Sequence, residues 1–333
     1  MISLLENLKQ EFIDFFGMGA WLEMFSKGDY SRLHTLDGIL GAIGPLIPLL
    51  MVLEFTNALI SRRFTNKDYK NNMLIYIFNR LVGRFISIGL VAFCIGYFGP
   101  YAILKTGTAW YWFIYSYIVW ELSHFVYHYY GHKVRLFWCL HSTHHAPEHM
   151  NLTVGFAHFF LEAPYADFIR TTICILLGVQ PPVLFLVMFI DGTWGTFIHA
   201  GENLLKDGRL GVLRHIILTP SHHRVHHARN PKYMDTNFCN LLNIWDRIFK
   251  THQYEEQELP PEYGITRPIK NNSFWDVYFG EFVCLFRDVS QAPGIKNKLL
   301  YIIMPPGWSH NGNHKTARVV KREFLAAQKN ASA

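Results

Sequence analysis

Four stretches without a single charged side chain set the terms for this chain. Gly38–Leu53 runs for 16 residues and resumes past Glu54 to Ile60, Phe85–Leu104 runs for 20, Thr106–Trp120 for 15 and Thr171–Ile190 for 20. A helix needs about 20 apolar residues to cross the ~30 Å hydrocarbon core of a bilayer. The second run qualifies outright, the first with its extension, and the third if polar residues at its end sit inside protein. The fourth carries Pro181-Pro182 near its middle and cannot be one straight helix. It reads as a hairpin, with one arm from about Phe159 to Gly178, a turn at the prolines, and a return from Val183 to about Ala200.

The pattern predicts an all-α integral membrane protein with about four transmembrane helices, one pair being the Pro-Pro hairpin. Only 17% of the 333 residues are charged, against about 25% in a soluble domain. Half are hydrophobic, which excludes a disordered or collagen-like chain. The five cysteines are scattered without a CxxC pair, so they read as buried thiols of a reduced compartment. A formal net charge of +6 on so apolar a chain suits anionic lipid headgroups rather than nucleic acid. The basic stretches Ser61–Asn72 (Arg62, Arg63, Lys67, Lys70) and Lys133–Arg135 should both face the cytoplasm. At the start, Glu6, Lys9, Glu11 and Asp14 interrupt the apolar run, unlike a signal peptide. Leu4, Leu5, Leu8, Phe12, Phe15 and Phe16 recur at near-helical spacing. They predict either an amphipathic helix in the membrane interface or an ordinary helix packed on the protein. The expected organisation is one domain over 1–333. It comprises an interfacial helix over 1–30, transmembrane helices over 36–128, a histidine-rich core over 129–255 containing the hairpin 159–200, and a cytosolic helical cap and tail over 256–333.

Histidine is the unusual component. Of 18, fourteen fall between His124 and His227. H-F-V-Y-H-Y-Y-G-H supplies His124, His128 and His132, H-S-T-H-H supplies His141, His144 and His145, and S-H-H-R-V-H-H supplies His222, His223, His226 and His227. On a helix, positions i, i+3 and i+4 share a face. HxxHH is therefore expected to aim three imidazoles at one point, and HxxxH two. Neutral imidazole ligates iron, zinc, copper or nickel, and three boxes offer enough nitrogens for two metal ions. His199 ends the returning arm of the hairpin and should come back beside the boxes. A lone histidine is more often a hydrogen-bonded core residue, the reading given to His34, His158, His215 and His252. Bis-histidine haem would need single histidines on facing helices and does not explain triplets.

The boxes HYYGH, HSTHH and HRVHH, in this order and across apolar segments, resemble the fatty acid hydroxylase/sterol desaturase superfamily of integral-membrane di-iron enzymes. W-x-x-H-S-T-H-H-A-P-E-H-M-N, T-P-S-H-H-R-V-H-H-A-R-N, L-x-I-W-D-R-I-F-K-T, Y-G-I-T-R-P-I and P-G-W resemble its alkylglycerol monooxygenase branch, over roughly Glu121 to Trp308. The resemblance implies His128 and His132 as the first-box ligands and His223, His226 and His227 as the third-box ligands, beside His141, His144, His145 and His199. It leaves His124 and His222 to support a ligand or line a substrate channel. Glu121, Glu148 and Glu202 are expected to orient imidazoles or bind surrounding backbone, with Asn151 in the same supporting class. The branch carries an acid directly after the first box, where this chain has Lys133.

The implied activity is O2-dependent lipid monooxygenation by two iron ions on the cytoplasmic side of a multi-pass membrane protein, with O2 as co-substrate and a lipid chain as substrate. A sterol or acyl-lipid desaturase of the same superfamily is the nearest alternative. A zinc-binding transport or structural protein is the alternative from another class. No GxGxxG, cytochrome b5-like segment or iron–sulfur cysteine cluster occurs. The electrons must therefore come from outside, from tetrahydrobiopterin or an electron-transfer protein.

Overall fold

A computed structural model describes residues 2–15, 17–61, 66–82, 84–269 and 273–331. The chain divides into two compact units, Met1–Phe64 and Thr65–Ala333. Among the described residues the regular structure is helical, with three isolated antiparallel bridges and no strand.

In the first unit, α1 (Ile2–Phe15) and α2 (Gly19–Lys27) precede α3 (Leu36–Ile43) and α4 (Leu46–Ile60). The side chains of Leu4, Leu5, Leu8, Phe12, Phe15 and Phe16, which would form the apolar face of an interfacial helix, lie outside the described residues, as do Arg62 and Arg63. Thr35 caps α3 by accepting from the Gly38 amide at 3.1 Å. Pro45 follows Gly44 at the α3–α4 joint, where a missing N–H costs little. Gly38–Ile60 is the one described helix long and apolar enough to cross a membrane, at 23 residues. Ile86–Tyr101 and Pro181–Phe197 are apolar but shorter.

The second unit contains α5 (Asn66–Val82), α6 (Arg84–Phe98), α7 (Trp110–Lys133), α8 (Arg135–His145), α9 (Glu162–Leu176), α10 (Pro181–Phe197), α11 (Pro220–His226), α12 (Ile244–Ile248), α13 (Phe274–Gln291), α14 (Gly294–Ile303) and α15 (Ala317–Ala331). α9 and α10 are the two arms of the Pro-Pro hairpin. Both prolines occupy the first positions of α10, where their fixed φ suits a helix start. Gly178 turns the tip at φ +83°, and a Cβ there would stand 2.1 Å from the Leu104 carbonyl oxygen. The tip is tied down: the Ile103 amide donates to Leu176 at 2.7 Å, and the Tyr115 hydroxyl to Leu177 at 2.8 Å. Tyr117, Trp120, Cys174, Ile175, Leu184 and Val187 form the core between α7 and the hairpin. The hairpin thereby returns its end, His199, to the level of the C-terminal half of α7. α13 packs on α8 through Leu285 and Cys139 and on α5 through Tyr278 and Ile75.

Candidate metal centre

Nine imidazoles converge from four places. α7 brings His128 and His132, α8 ends in His141, His144 and His145, α11 and its cap carry His223, His226 and His227, and His199 follows α10. Their ligand nitrogens fall into two groups, each with all atoms within 4.8 Å of one another: His128, His132, His141, His145 and His226 in one, and His144, His199, His223 and His227 in the other. All nine are buried. The groups adjoin, with the His145 and His227 rings stacked at 4.3 Å.

The division differs from the expectation that each HxxHH box aims at one point. His141 and His145 join one group while His144 joins the other, and His223 and His227 join one group while His226 crosses over. Helix geometry gives the reason. Positions i and i+4 are about 40° apart around the axis, whereas i+3 lies about 60° to the opposite side. A box laid between two centres serves both.

Several nitrogens face each other lone pair to lone pair. His128 Nδ1 donates to the Phe238 carbonyl at 2.9 Å, and His141 Nδ1 donates to Glu162 Oε1 at 2.5 Å. Oxygens of this kind only accept, so in the neutral rings both Nε2 atoms are bare, yet they stand 3.0 Å apart. The other group repeats this. His144 Nδ1 donates to Val154 at 3.2 Å and His199 Nδ1 to Gly195 at 2.6 Å, while their Nε2 atoms are 3.2 Å apart. The Nε2 atoms of His132 and His226 are buried without a hydrogen-bond partner. Facing lone pairs repel, and an unsatisfied buried nitrogen costs about 1–3 kcal/mol. A cation between them removes both costs. Nitrogens bound at right angles to one metal ion at about 2.1 Å stand about 3.0 Å apart, and the Nε2–Nε2 separations within the two groups run from 2.8 to 3.2 Å. The donor set fits two metal ions.

Burial pushes His144, His145, His223, His226 and His227 well below the ordinary imidazole range, and neighbouring imidazoles push each further. His132 is lowered to about 4, burial outweighing the Asp235 carboxylate beside it. Neutral rings are the form that ligates metal.

Carboxylates place the rings. Glu162 is buried and takes three donors: His141 Nδ1, the Tyr127 hydroxyl at 2.9 Å and His158 Nδ1 at 2.9 Å. His158 in turn stacks on His144 at 4.2 Å. Burial alone would lower His158, but the Glu162 charge and hydrogen bond raise it. Asp235 Oδ1 lies 3.5 Å from His132 Nδ1, and its other oxygen pairs with Lys133. Burial opposes ionisation of Asp235, yet His132 and Lys133 hold its carboxyl below the usual range. Asp235 thus sits beside the first box although Lys133 occupies the position after it. Asp235 and Asn237 take positive φ, a conformation that Asp and Asn tolerate better than most residues. Between them the Thr236 carbonyl accepts from His226 Nδ1 at 2.8 Å. Asp246 then accepts from the amides of Phe238 and Cys239, each at 2.8 Å.

Glu121 binds backbone. It accepts from the amides of Asn240, Leu241 and Leu242 at 2.7–3.1 Å, fixing the loop whose Phe238 carbonyl orients His128. Asn151 caps the short helix Leu152–Phe156 by accepting from Thr153. Glu202 bonds the Tyr263 hydroxyl. Glu148 is exposed and makes no hydrogen bond among the described residues. His124 and His222 stand outside both groups. His124 Nδ1 lies 3.7 Å from Asp191, and His222 caps α11 by accepting from the Thr219 amide at 3.2 Å. Sequence reasoning did not place Glu162, Asp235 or Asp246 beside the rings, and it read His158 as a hydrogen-bonded core residue without its stack on His144. Glu162 left a signal: with Asp167 and Arg170 it is one of three charged residues in the first arm of the hairpin, one helical turn past His158.

A fatty acid hydroxylase family model matches residues 113–251, which contain all nine imidazoles. The chain is 32% identical to an alkylglycerol monooxygenase of Danio rerio over 207 residues, 62% of this chain and 44% of that protein. It is also 32% identical to the Xenopus tropicalis protein of that name over 206 residues, again 62% and 44%. Identity to the Homo sapiens alkylglycerol monooxygenase is 31% over 188 residues, 56% of this chain and 40% of that protein. The chain thus spans less than half the length of these curated relatives. No solved structure matches it. Over residues 113–251 the chain is thus similar to the fatty acid hydroxylase family, and the relatives it resembles at 31–32% identity are alkylglycerol monooxygenases.

Proposed function

We propose that the chain is a membrane-embedded, O2-dependent di-iron monooxygenase that oxidises an alkyl or acyl chain of a lipid. The observation that carries this is the pair of imidazole groups, in each of which two buried Nε2 atoms face one another lone pair to lone pair, His128 with His141 at 3.0 Å and His144 with His199 at 3.2 Å, an arrangement that a cation between them relieves. The family relationship selects iron from the metals that such nitrogens hold. His128, His132, His141, His145 and His226 would hold one ion and His144, His199, His223 and His227 the other. With electrons from an external donor, either tetrahydrobiopterin or an electron-transfer protein, the metal pair supplies the O2 activation that oxidation of an unactivated C–H bond demands and that side chains cannot provide.

The chain's own residues supply the rest. Glu162 and the carbonyls of Phe238, Val154, Gly195 and Thr236 hold the protons of their histidines on Nδ1, so that Nε2 points inward bare. Glu121 and Asp246 immobilise the loop that presents two of those carbonyls. Burial of all nine rings leaves them little contact with bulk water.

About four helices would span the membrane, drawn from Gly38–Ile60, the apolar lengths of α6 and α7 and the hairpin α9–α10. The imidazoles would lie on the cytoplasmic side of α7 and the hairpin, with the segment after residue 255 as a cytosolic cap. α9 and α10 are short for a span; their polar ends therefore belong to the protein interior, where Glu162 is already bonded.

The test is metal and product analysis of the full chain purified without added zinc. About two iron ions per chain, and a lipid product heavier by one oxygen that carries label from 18O2, are expected. A product lighter by two hydrogens assigns desaturation instead. Two bound metals with no O2 consumed in the presence of membrane lipid and reduced pterin or a reducing protein would overturn the reading.

A further inference from the structure

A cavity of about 1080 Å³ opens onto the imidazoles. His132, His145, His226 and His227 form its floor, and Trp138 and Trp308 stand in its wall. Three carboxylates line it, and each is already paired: Asp235 with Lys133, Glu281 with Arg267 at 2.8 Å and Asp288 with Arg135 at 3.1 Å. Four further cations line it beyond those pairs: Arg229, Arg287, Lys315 and Arg318. Arg229 reaches a carboxylate only loosely, Glu262 at 3.8 Å, and both side chains are exposed. Arg287, Lys315 and Arg318 make no ion pair among the described residues. The cavity is therefore neutral in its paired portion and strongly positive among its exposed lining residues.

The same wall carries a second signal. α13 and α14 expose Trp275, Val283, Phe286, Ile295, Leu299 and Ile303, between 53% and 76% each. The acids of α13 are all engaged by Arg267 and Arg135, which leaves Arg287, Lys296 and Lys298 as the unpaired charges of the two helices. An apolar face bordered by cations alone matches an anionic bilayer surface. Arg287 belongs to both the stripe and the cavity lining, so the opening would sit at headgroup depth.

We propose that this cavity takes the phosphate-bearing headgroup of a lipid substrate, held by Arg287, Arg318, Lys315 and Arg229, with α13–α14 seated on the bilayer surface. The claim rests on the monooxygenase reading for the word substrate, and names the class of lipid. Phosphate offers several acceptor oxygens to guanidinium forks and a separate ammonium. An uncharged glycerol head would leave Arg287, Lys315 and Arg318 without a charge partner.

Metal-replete full-length protein in an uncharged detergent is titrated with dioctanoyl phosphatidate, dioctanoylglycerol and inorganic phosphate. The phosphatidate should bind about tenfold or more tighter than either of the others, with the preference shrinking as salt rises. The double variant Arg287→Gln/Arg318→Gln should bring the two lipids to within about threefold of each other. Equal binding of the two lipids by the unaltered protein, or a preference that survives the double substitution, overturns the proposal. Inorganic phosphate matching the phosphatidate also overturns it, because the site would then serve a soluble anion. Incorporation of 18O is followed in parallel. Label entering both lipids without a binding preference removes the headgroup site and leaves the monooxygenase. Preferential phosphatidate binding with no label in any lipid removes the monooxygenase and leaves an anionic-lipid site.

Discussion

The five-imidazole and four-imidazole groups share α8 and α11, one adding α7 and the other His199 after α10, and they are anchored by different chemistry. In the group of five, His141 is held by the Glu162 carboxylate and His132 lies against Asp235, so two rings carry a negative charge behind them. In the group of four, His144 and His199 are held by the carbonyls of Val154 and Gly195, and His223 Nδ1 has no partner among the described residues. A carboxylate behind an imidazole raises its basicity more than a carbonyl does. The two ions should therefore differ in affinity. The five-imidazole site should be the tighter, and the four-imidazole site, with fewer protein donors, the one left open to O2.

The strongest way to break this comparison is to remove one crossing ligand from each side. His226→Ala takes a nitrogen from the group of five although its box neighbours serve the other, and His144→Ala does the reverse. Each should cost about 100-fold or more in oxygenated product, while the protein still extracts from membranes as a single species. Metal analysis should show His144→Ala losing one ion more readily than His226→Ala does. Two ions retained in either variant would undo the 2+1 partition of the boxes.

Glu162→Gln probes the carboxylate itself. It should lower metal retention in the five-imidazole group by about 10- to 100-fold, the usual cost of removing such a partner, measured by stepwise chelation. A smaller effect should reach the other group through His158, which loses its counter-charge while stacked on His144. Equal loss from both groups would mean that Glu162 acts on the hairpin's packing rather than on one ring. Asp235→Asn comes next, at about tenfold or less, because 3.5 Å to His132 is a weak contact. It should also release Lys133, detectable as faster reaction with an amine reagent.

How far these features were legible in the sequence follows from their range. Histidine spacing reports on neighbours within one helix, so HxxHH identified the rings. Its i+3 member was nonetheless assigned to the wrong neighbour, because the second centre is supplied by another helix. Pro181-Pro182 announced the hairpin and with it the return of His199. Glu121 was expected to bind either imidazoles or backbone, and it takes three loop amides. Asp235 and Asp246 gave no warning. Asp235 reaches back to His132 and Lys133, a separation of 102 residues to Lys133 that no local pattern encodes, and does so from a positive-φ position that only the folded loop reveals. Asp246 folds back on the amides of Phe238 and Cys239, only eight and seven residues away.

The smallest predicted effect tests the other side of the comparison. Gly155 lies in the short helix Leu152–Phe156 with an ordinary negative φ, so alanine there strains no backbone. Its added Cβ would stand 3.2 Å from His199 Nδ1, tighter than an ordinary contact, and His199 would have to yield by a few tenths of an ångström. That ring has only the Gly195 carbonyl to hold it at 2.6 Å, with no carboxylate to pull it back. Gly155→Ala should leave thermal stability within about 1 kcal/mol and weaken the four-imidazole group about threefold, the group of five staying intact. The same chelation series reads it. A loss confined to the five-imidazole group would reverse the assignment of His199, and with it the argument that the carbonyl-held site is the softer of the two.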